Sequence, residues 1–175
     1  MARPLCPRCY REYVIRVSRV GLGERLISLF YVYPFRCQLC SHRFKVIQWG
    51  VIYTRIQEDR REYERLPADF PVAFNAGAMN GQGSVLDISM GGCMFQTEAR
   101  LAEGSILRMG LELPNELSPV NVEAAIVRSA RPGRAGVEFL RIEHGQRERL
   151  RRFIRGLMSA VGREPNVEKS QSRRV

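Results

Sequence analysis

Leu107-Arg108-Met109-Gly110-Leu111-Glu112-Leu113 and, after a break containing Pro114 and Pro119, Val120-Asn121-Val122-Glu123-Ala124-Ala125-Ile126 carry the pattern on which the fold turns. Side chains alternate across a β-strand, so Leu107, Met109, Leu111 and Leu113 share one face, and Val120, Val122, Ala124 and Ile126 share another. Similar short runs at 71–74, 83–87, 93–96 and 135–140 are separated by Gly, Pro, Asn and Ser. Strands of this length and spacing predict a small antiparallel barrel or sandwich. Downstream, Leu150, Phe153, Ile154, Leu157 and Met158 recur at helical spacing and predict an apolar stripe that plugs or flanks the sheet. Residues 162–175 are polar, charged and aperiodic, and read as a disordered tail.

Charge divides the 175 residues more sharply than hydropathy does. Residues 1–57 hold ten Lys and Arg against two Glu, whereas residues 58–161 hold fourteen Arg against fourteen Asp and Glu. A neutral body with a basic front predicts two units, of which the first has a field suited to polyanions. The longest apolar run, Leu26 to Phe35, is broken by Pro34 and is too short to span a bilayer. The first eleven residues lack the apolar core of an export signal, so the expectation is a cytoplasmic protein.

The basic front contains two cysteine pairs, Cys6-Pro7-Arg8-Cys9 and Cys37-Gln38-Leu39-Cys40, with 27 residues between them. A two-residue gap lets a tight turn aim both sulfurs at one point, and two such turns supply a tetrahedral thiolate set. Zinc is the expected occupant, with iron the other candidate. Four thiolates leave no position for a catalytic water, so the metal is expected to be structural in a segment too small to fold on its own core. The aromatic-flanked second pair, Tyr33-Pro34-Phe35-Arg36-Cys37-Gln38-Leu39-Cys40-Ser41-His42-Arg43-Phe44, resembles half of a zinc ribbon over residues 1–50. The ribbon would carry an insert with Leu22, Leu26, Leu29 and Phe30 at helical spacing. His42 is expected to be an exposed loop residue rather than a ligand.

Beyond a linker at 51–57, two further motifs stand out. Arg60-Arg61-Glu62-Tyr63-Glu64-Arg65 precedes the first strand, and Asp87-Ile88-Ser89-Met90-Gly91-Gly92 lies between two strands, with 21 residues from Arg65 to Asp87. In that order, and with Arg128 and Gly136-Val137-Glu138-Phe139 downstream, they resemble the RxxxR and (D/N)xSxxG signature of PilZ domains, bacterial receptors for cyclic di-GMP. The resemblance covers residues 58–161. It implies a mostly β fold, a six-stranded antiparallel barrel with a C-terminal helix. It also implies a ligand site formed by Arg60, Arg61, Arg65, Asp87, Ser89, Gly91 and Gly92.

The residue chemistry agrees with that implication. The ligand is a dianion with two guanines, and the planar guanidinium fork can grip phosphate or the O6/N7 edge of guanine. Asp87 offers acceptors to guanine N–H groups, Ser89 can donate and accept, and the glycines let backbone approach closely. An arginine at position 60 resembles the PilZ variant that takes two intercalated cyclic di-GMP molecules. Catalysis has little support: the histidines are His42 and His144 alone, and no glycine-rich phosphate loop precedes a helix. The reading is a receptor that signals to an unidentified protein partner when its arginine segment orders over ligand. The rival reading is a nucleic-acid-binding zinc ribbon carried on a barrel scaffold.

Overall fold

The computed structural model describes residues 4–19, 21–50, 63–77, 79–114 and 116–160. Arg60, Arg61, the 51–57 linker and the 162–175 tail lie outside the described residues. The chain divides into two compact units, with the division between Glu62 and Tyr63. Among the described residues no helix is long and apolar enough to cross a membrane.

The first unit is a three-stranded antiparallel sheet, ordered β1 (Val14–Arg16), β2 (Val32–Cys37) and β3 (Arg43–Ile47). Between β1 and β2 runs a short helix α1 (Gly21–Ile27) continued by a 3-10 turn at Ser28–Phe30, so the insert is helical as its spacing predicts. Its apolar residues do not form a core, however. Leu22, Leu26, Leu29 and Phe30 are all exposed, and the buried hydrophobic core of this unit is Cys6, Val14, Tyr33, Phe35, Cys37 and Leu39. His42 departs from expectation as well, being half-buried with its ring stacked on Phe44.

The second unit is a closed barrel of six antiparallel strands in the order β4 (Leu66–Ala76), β5 (Met79–Ser89), β6 (Gly92–Gln96), β9 (Arg134–Arg141), β8 (Val120–Arg131) and β7 (Ile106–Leu111). Pairing of β7 with β4, from Val72 opposite Leu111 to Asn75 opposite Arg108, closes the ring. All six predicted strands are present, each lengthened at one or both ends or trimmed by a residue or two. Phe70, Val72, Val85, Ile88, Phe95, Leu107, Met109, Leu111, Val120, Val122 and Val137 fill its interior.

One facial assignment changes. In β8, Val120 and Val122 point inward as alternation requires, but beyond them Ala125 and Val127 are the buried residues, not Ala124 and Ile126. An extra residue of β8 lies between the pairs Met109–Val122 and Leu107–Ala125, and such a bulge inverts the positions that follow it, here through Val127.

Helix α2 (His144–Ala160) packs on the barrel through buried Leu150, Ile154 and Met158. Phe153 meets Phe70 of β4 edge to face at 5.5 Å. Arg149 ties the helix to the β7–β8 connection, donating to Glu116 at 3.0 Å, to the Pro119 carbonyl at 3.3 Å and also to the Ser118 carbonyl. Because Leu150 is fully buried, Leu150→Ala should destabilise the barrel by about 2–5 kcal/mol in denaturant unfolding. The exposed Arg152→Ala on the same helix should change it by less than about 0.5 kcal/mol.

Candidate functional site

Asp87 reaches the barrel surface because of a bulge. Val85 pairs with Phe95 and Asp87 with Met94, so Leu86 is an extra residue in β5. Without it, alternation from buried Val85 would turn Asp87 into the core. With it, Asp87 faces outward and Ile88 inward. Arg65, one residue before β4, donates to the Asp87 carboxylate at 3.2 Å, and both side chains remain about a quarter exposed. The two signature motifs are therefore brought together across 21 residues of sequence, as an accessible ion pair with guanidinium donors left over.

The rest of the second motif builds the turn between β5 and β6. Ser89 is buried, and its hydroxyl donates to the Gly92 carbonyl at 3.2 Å and accepts from the Gly91 N–H at 3.3 Å. The Gly91 carbonyl accepts from the Phe139 N–H at 2.8 Å. Neither glycine has a positive φ, so both are required for space rather than for backbone conformation. A Cβ on Gly92 would lie 2.1 Å from the Val137 carbonyl oxygen, which means β6 and β9 could not pair there. A Cβ on Gly91 would lie 2.7 Å from the ring of Tyr63. That contact was not legible in the sequence: Tyr63, in the middle of RxxxR, lies against the bare backbone of Gly91. Residues 63–65 are thus seated at two points, Tyr63 on Gly91 and Arg65 on Asp87.

Beside Asp87 the outer face continues as a row across four strands. Asp87 stands opposite Met94, Met94 opposite Gly136, and Gly136 opposite Ser129. A Cβ at Gly136 would come within 2.6 Å of the Ser129 hydroxyl, so the row is flat at its centre. A second bulge, at Arg128 of β8, places Arg128 at the rim, where it donates to Glu138 at 2.7 Å. Met94 and Ser129 are neighbours of the site that strand pairing alone supplies; neither carries a sequence signal. Directly beneath, Cys93 is fully buried, and burial first, then the nearby Asp87 carboxylate, push its thiol well above the ordinary range, so it is inert.

The four paired cysteines also meet. All are free thiols, and their sulfurs lie within 4.8 Å of one another, with Cys6 to Cys40 at 3.5 Å and Cys9 to Cys37 at 3.6 Å. A tetrahedron with metal–sulfur bonds of about 2.3 Å has edges of about 3.8 Å, so the arrangement fits one zinc-sized ion. The two turns share one construction. The Cys6 N–H donates to the Arg11 carbonyl and the Cys37 N–H to the His42 carbonyl, both at 3.0 Å, and each turn ends on a left-handed residue, Tyr10 or Ser41. Burial pushes the Cys37 and Cys9 thiols up. At Cys6 burial acts the same way, but the N–H groups of Cys9 and Arg8 and the neighbouring thiols outweigh it and the balance is downward. Binding a metal would release these protons, so affinity falls as pH falls.

Comparison of the sequence with curated proteins returns no match. Among solved structures, the chain resembles the PilZ domain with c-di-GMP of YcgR from Escherichia coli. That match is 17% identical, covers 59% of this chain and 95% of that one, and has a TM-score of 0.50. It also matches the PilZ domain of CeSA from a cellulose-synthesizing bacterium at 22% identity and a TM-score of 0.44, over 56% of this chain and 98% of that one. The PilZ domain family matches residues 59–156, which include the closed barrel, the Arg65–Asp87 pair and most of the closing helix. The chain belongs to the PilZ domain family.

Proposed function

We propose that the chain is a receptor for cyclic di-GMP whose ligand seats on the outer face of the barrel, between the arginine segment and the β5–β6 turn. The observation that carries this reading is the Arg65–Asp87 pair, which sets a guanidinium and a carboxylate side by side on an accessible surface. A guanidinium can grip phosphate or the guanine O6/N7 edge, and a carboxylate accepts guanine N–H groups. Family membership and the c-di-GMP in the related YcgR domain support the choice of ligand. Arg60 and Arg61 add further guanidinium groups, while Ser89, Gly91 and Gly92 act by shaping the turn on which Tyr63 rests, beside the Asp87 that pairs with Arg65.

The same reading gives the cysteine unit a structural zinc held by Cys6, Cys9, Cys37 and Cys40. When bound, the metal supplies cross-linking rather than chemistry, since all four positions are thiolates. The arginine segment directly follows the 51–57 linker, so its ordering over ligand is the step that would pass a signal toward the first unit or a protein partner in the cytoplasm.

Three measurements test this reading. In calorimetry, Arg65→Ala, Asp87→Ala and Arg61→Ala should each weaken cyclic di-GMP binding by at least about tenfold, given charge-assisted hydrogen bonds of roughly 1.5–3 kcal/mol. Gly91→Ala, which displaces Tyr63, should weaken it without unfolding the barrel. No heat and no displacement at high ligand concentration would end the receptor reading. With Arg60 in the site, the stoichiometry should be two ligands per chain and should fall toward one in Arg60→Leu, because a third guanidinium offsets the charge of a stacked pair. Elemental analysis should find one zinc per chain, and Cys37→Ser should lose it while the barrel retains its unfolding transition.

A further inference from the structure

The helical insert of the first unit and the end of its sheet leave several large apolar side chains in solvent. Arg43, Lys45 and Ile47 alternate onto one face of β3, and Trp49 lies in the turn that follows the strand. Arg43 donates to Glu24 of α1 at 2.6 Å and to the Ser18 carbonyl at 3.1 Å, which brings the insert to this face. At the other end the Gln48 N–H donates to the Tyr31 carbonyl at 2.8 Å, and the Tyr31 and Trp49 rings lie 5.6 Å apart. Leu29 and Phe30, just before Tyr31, therefore lie at the same end of the unit as Ile47 and Trp49, and Leu22 and Leu26 continue an exposed stripe back along α1, on the side turned away from Glu24. Leu29, Phe30 and Trp49 are exposed by 74%, 70% and 72%, and these six are half of all the exposed large apolar residues among those described.

A surface of this kind marks an interaction site, and its charge selects the occupant. Residues 4–50 hold eight Lys and Arg against Glu12 and Glu24, and Glu24 is already paired with Arg43. A metal on four thiolates removes two charges and leaves the unit clearly cationic. A second copy of the chain would bring like charge to the contact. A nucleic acid would leave the four aliphatic side chains facing phosphate and sugar. An anionic bilayer surface satisfies both halves at once. Leucine and phenylalanine enter the acyl boundary, the tryptophan lies at the headgroup level, and Lys45 remains among acidic headgroups.

We propose that this face, built from α1, the 3-10 turn and the end of β3, docks the protein on membrane surfaces that carry anionic lipid. The contact is peripheral, and it does not require the ligand site of the barrel.

Trp49 is the sole tryptophan of the chain, so its emission reports this face alone. The full-length protein is mixed with vesicles of phosphatidylcholine, with and without about one-third phosphatidylserine, and followed by tryptophan emission and co-sedimentation. A blue shift and co-sedimentation with the anionic vesicles, weakened by added salt, are the expected result. Leu29→Asp combined with Phe30→Asp should reduce partitioning at least about tenfold, and Lys45→Gln about fivefold, with zinc content and the circular dichroism spectrum unchanged. Leu22→Asp, at the opposite end of the face, gives a second reading should the double variant fail to fold. The proposal is overturned by any of three results: no shift and no sedimentation, binding that the aspartate variants leave intact, or a blue shift that instead follows self-association with rising protein concentration.

Discussion

Closure of the barrel through the β4–β7 pairing is the constraint on which the rest of the second unit depends. A closed ring leaves no strand edge free to shift, so register is fixed on every strand, and an extra residue can be absorbed only as a bulge. The bulges at Leu86 and Arg128 are two such places. Each changes which way the following side chains point, and together they put Asp87, Ser129 and Arg128 on the outer face. Close strand approach has a second cost, in side-chain volume. Position 92 is held to glycine because the Val137 carbonyl occupies the space that a Cβ would need, whereas at position 136 a Cβ would require the Ser129 hydroxyl to turn aside.

The β5–β6 turn gains its rigidity from that same frame. Ser89 bonds within the turn, and the Phe139 N–H of β9 holds the Gly91 carbonyl, so the backbone beneath Tyr63 is fixed from both sides. The described end of the arginine segment, residues 63–65, needs anchors to rest on the barrel surface. Here it has two: an aromatic ring against bare backbone and an ion pair to Asp87. The pair is partly solvated and contributes little to stability alone, so Arg65 can exchange partners at small cost.

The first unit follows a different economy. It buries only a small set of side chains around Cys6, Val14, Tyr33, Phe35, Cys37 and Leu39, and several of its largest apolar residues remain in solvent. A sheet of three short strands with so small a core needs a cross-link, which the four converging sulfurs are placed to provide. Most of the large apolar residues left out of that core lie along α1, the 3-10 turn and the end of β3.

Period-two alternation, helical spacing and paired cysteines are local properties, and they determined by themselves that six strands and a closing helix follow a cysteine-bearing unit. The two motifs also named Arg65 and Asp87 before any fold was known, because their chemistry resides in the side chains. The inward turn of Ala125 and Val127 in place of Ala124 and Ile126, the burial of Ser89 and the seating of Tyr63 on Gly91 were not legible. Each depends on what stands opposite across a strand pair or a turn, and no spacing along one chain contains that. The apolar spacing of Leu22, Leu26, Leu29 and Phe30 likewise announced a helix but not its exposure. Whether an apolar face is covered is decided by the elements packed against it, and only the tertiary structure specifies those.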